Sequence, residues 1–285
     1  MSRGLGDVYK RQIQISPETY NEAAVLAHPD PDCKESVGAI FPIVNKNNVI
    51  SDLLFASKFG IGKTSFDGKQ WEYLVLYTSC AEITPQRSQR LRSNDGNVSP
   101  CGKYLFVGLM NDFPYEVTNE GCIVRVSLNH RKTVEMFYEN IKIPNAIHWD
   151  SKGDYTYVTD SLEFVIWRID NKTNEKVKLI DIKKNNPGVD SPEPDGSAIN
   201  HASNNLFIAV WSTNKIQEYS LQTGVLLAEY VLPKSTPRVS CCAIVGADLY
   251  VTTASGKKPN GPEDTIDTIG GCIYKLPDIV RPPLE

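Results

Sequence analysis

The sequence lacks any long apolar run and any large excess of one charge. Its 285 residues are 41% hydrophobic and 22% charged, with a net charge of -4, and no run approaches the roughly 18 apolar residues that a membrane-spanning helix needs. Lysine and arginine are scattered, so no basic cluster marks a surface for nucleic acid or an anionic membrane. We therefore expect a soluble protein with small-molecule or protein partners, and no nucleic-acid or membrane partner.

A secretory signal is also lacking, because Met1–Gln12 contains no apolar core. We expect a cytoplasmic protein, with residues 1–12 as a non-native or disordered segment and residues 13–285 as a single β-propeller domain. The seven cysteines show neither CxxC spacing nor a Cys/His zinc pattern. Most of them, including the adjacent Cys241 and Cys242, are predicted to be buried, reduced thiols.

Common catalytic motifs are missing as well. The chain has no P-loop, no GxGxxG and no HExxH. Its four histidines, His28, His130, His148 and His201, stand in unrelated contexts, so no Ser/His/Asp or Cys/His nucleophile is evident. His148 beside Trp149 is interpreted as a packed strand residue rather than a base.

A strand pattern is what the sequence does contain. A polar turn followed by an aromatic and β-branched strand recurs about every 45 to 50 residues, and further short strands follow each copy. This period is typical of propeller blades, whereas an irregular β-sandwich would explain the strands but not the period. We therefore predict an all-β, six-bladed β-propeller. The four copies are Gly102–Val107, Gly153–Val158, Asn205–Val210 and Ala247–Thr252.

Upstream of these copies the pattern weakens. Val37–Val44, Leu53–Phe59 and Trp71–Tyr77 fit one further blade, while residues 13–33 fit only part of another. The first blade is therefore expected to be incomplete at the N-terminus.

Polar residues precede the repeated strands at equivalent places. Arg92 and Asn94, two residues apart, could both reach one oxygen-rich ligand, although Asn94-Asp95-Gly96 alone would be a simple turn. Asn145 and Asp195 each stand just before a strand that opens a predicted blade. In a propeller such positions converge on the central channel, where carboxylate and amide oxygens suit a hard cation. Read singly, either residue is better explained as a turn former than as a metal ligand.

These segments carry a family resemblance. In order and spacing they resemble the motifs of the senescence-marker protein, gluconolactonase and luciferin-regenerating-enzyme family, which includes regucalcin, over about residues 37 to 276. The segments are Arg92-Ser93-Asn94-Asp95-Gly96, Asn145–Trp149 with Asp160-Ser161, Pro194-Asp195-Gly196, and Leu232-Pro233 followed by Cys241-Cys242 and Tyr250–Thr252.

The resemblance implies a metal-dependent lactonase that hydrolyses sugar lactones to aldonic acids. It implies one divalent cation, Ca²⁺ or Zn²⁺ with Mg²⁺ or Mn²⁺ as alternatives, held by Asn145 and Asp195. Arg92 and Asn94 would bind the sugar hydroxyls, and Asp195 would also serve as the catalytic base.

The sequence departs from the family pattern in three places. The family's remaining metal ligand, a glutamate in a GE-x-P-x-W motif, has no match, since Glu18 and Glu22 lack the flanking residues. Ala146 replaces a glycine, and an acidic substrate contact falls near Asp112 without a secure alignment. Two alternatives therefore stay open, namely a non-catalytic propeller that binds calcium or a protein, and an enzyme for another ester class.

Overall fold

The protein is built almost entirely of β-strands. The computed structural model describes residues 35–47, 49–66, 68–254 and 270–280, together with the strand positions of residues 11–15 and 22–27. Over these residues it contains one α-helix, α1 (Pro85–Arg90), which begins at an N-cap where Thr84 accepts the Arg87 N–H. No helix in this part of the chain is long and apolar enough to cross a membrane.

The chain divides into two compact units, of which the first comprises residues 1–144. Unit 1 holds a two-stranded antiparallel sheet and two four-stranded sheets in which each strand pairs with the next along the chain. The strands are β1 (Arg11–Ile15) and β2 (Glu22–Ala27); β3 (Ala39–Val44), β4 (Ile50–Ala56), β5 (Gly60–Ser65) and β6 (Trp71–Leu76); and β7 (Leu91–Val98), β8 (Tyr104–Asn111), β9 (Gly121–Ser127) and β10 (Val134–Ile141).

Unit 2 comprises residues 145–285 and holds three more sheets of consecutive strands, two with four strands and one with three. The strands are β11 (Pro144–Trp149), β12 (Tyr155–Asp160), β13 (Val165–Asp170) and β14 (Lys176–Asp181); β15 (Glu193–Asn200), β16 (Asn205–Trp211), β17 (Lys215–Ser220) and β18 (Leu226–Val231); and β19 (Val239–Val245), β20 (Asp248–Thr253) and β21 (Ile273–Leu276). The first residue of β11 is the last of unit 1.

The second strand of a sheet supplies much of the core. Leu206 to Val210 in β16 form an unbroken buried run, and so do Leu105 to Asn111 in β8. Strands buried on both faces appear as continuous apolar sequence rather than as alternation. This burial explains why the aromatic and β-branched segments could be predicted as strands.

Tight turns join the first and second strands. Gly102 lies between β7 and β8 with φ +67°, and Gly153 lies between β11 and β12 with φ +73°. Only glycine adopts this left-handed backbone without steric cost. These glycines therefore fix the short hairpins that bring each second strand back beside the first.

The described residues form five blade-like sheets, and a sixth complete sheet is not among them. The all-β repeat is confirmed, whereas the six-blade count is not. Of the segment that was expected to give a partial first blade, β1 and β2 are described as paired strands and the rest lies outside the described residues. The proposed non-native segment likewise lies outside them, except that Arg11 and Gln12 begin β1.

The first strands differ from the sequence expectation. The polar segments around Arg92, Asn145 and Asp195 were expected to precede the strands that open the blades, but they themselves form the first strands β7, β11 and β15. Asparagine, aspartate, glycine and proline have low intrinsic strand preference, so the local sequence hides these strands. Pairing with a neighbouring strand outweighs that preference.

The cysteine prediction was also partly wrong. Among the six described cysteines, Cys80, Cys122 and Cys242 are buried, while Cys101, Cys241 and Cys272 are exposed. Adjacent strand residues point to opposite faces of a sheet, so Cys241 and Cys242 cannot both face one core. Cys33 lies outside the described residues.

Candidate active site

Unit 2 brings Asn145 and Asp195 into direct contact. Asn145 Nδ2 donates to Asp195 Oδ1 at 2.6 Å and to Ser161 Oγ at 3.3 Å. Ser161 in turn donates to the carbonyl of Pro194 at 2.7 Å. Asn145 and Ser161 are buried, with 5% and 3% of their surface exposed, while Asp195 is partly buried. The pair is therefore held by Ser161, which directly follows β12, and by the backbone of β15.

A β-bulge places Asp195. The pairing of β15 with β16 steps from Pro194–Val210 to Ser197–Ile208, so Asp195 and Gly196 lie opposite one residue. The pairing of β7 with β8 makes the same step between Ser93 and Gly96. Asn94 and Asp195 therefore occupy the same position in two different blades, and a bulge at this point turns their side chains out of the regular ladder.

Gly196 is packed against the next sheet of unit 2. A Cβ atom added to Gly196 would lie 2.4 Å from Cys241 Sγ and 2.9 Å from Cys241 Cα, which is well inside van der Waals contact. Only glycine fits here without displacement. This close approach fixes the backbone beside Asp195.

His148 and Ser197 form a second contact that the sequence did not reveal. His148 Nε2 lies 3.0 Å from both the carbonyl oxygen and Oγ of Ser197. Burial lowers the pKa of His148 from the ordinary 6.5 to about 4. The imidazole is therefore neutral at pH 7. It lies in a strand, as predicted, but its polar contact with a serine hydroxyl could not be inferred from residues 49 positions apart.

Unit 1 brings Arg92 and Asn94 together. Arg92 Nη1 donates to the carbonyl of Ser93 at 2.9 Å and lies 3.4 Å from Asn94 Oδ1. The Arg92 guanidinium stacks on the ring of Phe113 at 4.3 Å and is fully buried. Asn94, 2% exposed, donates to the carbonyl of Pro144 at 3.1 Å. Both side chains are therefore preorganised, with the Phe113 ring over the guanidinium.

Asp95, the second residue of the β7 bulge, is an unusual carboxyl group. Burial raises its pKa from the ordinary 3.8 to about 6, although the Gly96 N–H, 2.7 Å from Oδ1, acts in the opposite direction. A carboxyl group that titrates close to neutral pH thus lies directly beside Asn94.

Asp112 and Lys58 form an ion pair that sequence reasoning also missed. Asp112 is the acidic residue that could not be aligned securely with the family's substrate contact. Its Oδ1 atom also lies 4.0 Å from Arg92 Nε. No local signal could have paired two residues that are 54 positions apart.

Asn145 and Asp195 carry the side-chain oxygens that would let both serve as ligands of a hard divalent cation. Oxygen ligands from carboxylates and amides are what such cations take. Rotating the Asn145 amide by half a turn would point its oxygen, instead of its nitrogen, toward the Asp195 carboxylate, and Ser161 Oγ would then have to give up the Pro194 carbonyl to donate to that amide oxygen. No cluster of three or more His, Cys, Asp or Glu side chains is found in the described part of the chain.

Comparison with known proteins assigns the chain to a protein family. Residues 6–255 match the family described as SMP-30/Gluconolactonase/LRE-like region. The chain belongs to this family. The resemblance inferred from the motifs is thereby confirmed.

Three relatives illustrate the match. An uncharacterized protein of Saccharomyces cerevisiae is 49% identical, over 96% of this chain and 80% of that protein. The structure of a calcium-binding protein, regucalcin, from Agrobacterium tumefaciens has a TM-score of 0.72 and 21% identity, covering 94% of this chain and 83% of that one. A gluconolactonase from Xanthomonas campestris has a TM-score of 0.56 and 16% identity, covering 82% and 70%.

The two solved structures are similar to this chain in fold. They show that its consecutive antiparallel sheets belong to the all-β propeller class, with five blades within the described residues. The family's description includes gluconolactonase, and the regucalcin from Agrobacterium tumefaciens is described as a calcium-binding protein.

Proposed function

We propose that the protein is a metal-dependent hydrolase of sugar lactones, producing aldonic acids. The observation that supports this proposal best is the partly buried contact between Asn145 and Asp195, at 2.6 Å, on strands whose motifs match a family that includes gluconolactonases. Asn145 and Asp195 are proposed to hold the cation. Arg92 and Asn94 are proposed to bind substrate hydroxyls.

The cation, when bound, would act as a Lewis acid toward the lactone carbonyl and lower the pKa of water. Asp195 would take the proton from the attacking water, because its carboxylate is the acidic group that the β15 bulge presents. Before a cation binds, Asn145 and Ser161 hold that carboxylate in place through the chain of hydrogen bonds to Pro194. Asp195 would therefore act from a position that these hydrogen bonds have already fixed.

Substrate binding would use the hydrogen-bonding groups of β7. Asn94 offers an amide and Arg92 a planar guanidinium with several N–H donors, which suit the vicinal hydroxyls of an aldonolactone. Because the Phe113 ring, 44% exposed, lies over the buried Arg92 guanidinium, the ring would move aside or pack on the sugar when Arg92 binds.

A non-catalytic propeller that binds calcium or a protein is the second candidate. The observation in its favour is that Asn145 and Asp195 already bond to each other and that the described residues offer no three-ligand acidic cluster. A binding platform would need no attacking water, so the two candidates differ in turnover.

Turnover therefore decides between them. In a pH-stat, we expect the purified protein with a divalent cation to hydrolyse D-glucono-δ-lactone well above the spontaneous rate. We expect little acceleration of p-nitrophenyl acetate, which has no hydroxyls for Arg92 and Asn94. A folded protein that leaves the lactone at its spontaneous rate would favour the binding platform, and equal acceleration of both esters would indicate a general esterase.

A further inference from the structure

A lysine–aspartate pair in unit 1 has no role in the reaction proposed above. Lys58 follows β4 in the turn to β5, and Asp112 directly follows β8. Their side chains form an ion pair and are only 16% and 13% exposed. The pair is thus largely dehydrated but can still be reached from solvent.

The Asp112 carboxylate is already engaged at both oxygens. Oδ2 accepts a hydrogen bond from Lys58, and Oδ1 accepts the Phe113 backbone N–H at 2.9 Å and lies 4.0 Å from Arg92 Nε. A substrate hydroxyl that approached Asp112 would compete with these contacts. Asp112 therefore serves better to orient the two cations than to bind a sugar hydroxyl itself.

Asp112 is shared between two cations. Lys58 and Arg92 both face its carboxylate, and the closer of these two contacts is only slightly exposed to solvent. An oxyanion that entered this largely dehydrated place would meet two cationic groups at once.

Lys58 also has donors to offer. An ammonium group carries three N–H donors, and within the described residues the hydrogen bond that Lys58 makes is to Asp112. The Lys58 Nζ atom also lies 5.5 Å from the centre of the Phe59 ring. Two donors can therefore reach an incoming oxyanion without breaking the ion pair.

We propose that Lys58, reinforced by the fixed charge of Arg92, is a subsite for an oxyanion on the substrate, so that the preferred lactone carries a carboxylate or a phosphate. This inference rests on the proposed function, because it takes Arg92 to lie at the sugar-binding end of the site. Charge-assisted hydrogen bonds to Lys58 would then select anionic over neutral lactones.

A three-lactone comparison tests the preference. The kcat/KM values would be measured for D-glucono-δ-lactone, which is neutral, D-glucaro-1,4-lactone, which carries a carboxylate, and 6-phospho-D-glucono-δ-lactone, each corrected for spontaneous hydrolysis. We expect at least one anionic lactone to exceed the neutral one by about ten- to hundredfold, and the two anionic arms tell carboxylate from phosphate. Equal values for all three would overturn the inference.

Variants of the two partners should shift this preference in opposite directions. Lys58→Gln should reduce the ratio of anionic to neutral kcat/KM by about tenfold, and Lys58→Arg should largely keep it. Asp112→Asn should raise the ratio, because the competing carboxylate is gone. If the ion pair is merely structural, Lys58→Gln and Asp112→Asn will change the ratio alike or not at all. Lys63→Gln, which breaks an exposed pair with Asp52, is the matched control and should leave the ratio unchanged.

A binding measurement keeps the inference separate from the lactonase proposal. Calorimetric titration with 6-phosphogluconate and with gluconate needs no turnover. If no lactone is hydrolysed but 6-phosphogluconate binds about tenfold more tightly than gluconate, and Lys58→Gln removes that difference, the anion subsite stands and the lactonase proposal fails. If 6-phosphogluconate and D-glucarate, which carries a second carboxylate, bind no more tightly than gluconate, and Lys58→Gln changes none of the three affinities, the anion subsite is wrong.

Discussion

Asp195→Asn is expected to abolish lactone hydrolysis while leaving the fold intact, with kcat falling about a thousandfold or more. The substitution preserves shape but removes both the proposed anionic ligand and the proposed base. Asn145 Nδ2, which donates to Asp195 Oδ1, can still donate to an amide oxygen. The contact between the two side chains therefore survives, and the loss would come from chemistry rather than from unfolding.

Two measurements check this expectation. The pH-stat rate with D-glucono-δ-lactone gives the loss of activity, and thermal unfolding monitored by circular dichroism gives the change in stability. Asp190→Asn, an exposed aspartate five residues before Asp195, is the matched control and should retain full activity. A wild-type rate for Asp195→Asn would remove this carboxylate from the mechanism.

Gly196→Ala is expected to impair both stability and activity. The new Cβ would lie 2.4 Å from Cys241 Sγ and 2.7 Å from Cys241 Cβ, so β15 and β19 must move apart or the bulge must shift. Overpacking of this kind costs about 1–3 kcal/mol of folding free energy. Because a displacement of about 1 Å at a reacting group can cost about a hundredfold in rate, we expect a comparable loss of lactone turnover.

A second substitution shows whether the clash is the cause. Cys241→Gly removes the sulfur and the Cβ but leaves Cys241 Cα, 2.9 Å from the added methyl group, so it should restore Gly196→Ala only in part. Cys241→Gly alone should be nearly as active as the wild type. Urea unfolding of the four proteins gives the coupling free energy. Additive effects, with no rescue, would contradict the packing explanation.

The sequence allowed some of this structure to be predicted, for physical reasons. Strands such as β8 and β16 are buried on both faces, so their apolar runs are visible in the sequence. The repeat spacing also led us to expect Asn145 and Asp195 near each other, and they are in contact. These features depend on local composition or on the period of the repeat.

Other features depend on contacts that local sequence does not contain. Strand β7 carries Asn94-Asp95-Gly96, which would be a turn in isolation, and it is a strand because it pairs with β8 around a bulge. Strand β5, with the sequence GIGKTS, went unrecognised because two glycines and polar residues hide it. The contacts of Lys58 with Asp112 and of His148 with Ser197 join residues 54 and 49 positions apart. Only the fold reveals such pairs.

The central claim is that a divalent cation bound at Asn145 and Asp195 drives lactone hydrolysis. The most direct test is the rate of D-glucono-δ-lactone hydrolysis in a pH-stat, first after chelation and dialysis and then after adding back Ca²⁺, Zn²⁺, Mg²⁺ or Mn²⁺ separately. We predict that chelation reduces the rate to the spontaneous level and that at least one cation restores it. Hydrolysis at the full rate by the metal-free protein would contradict the claim.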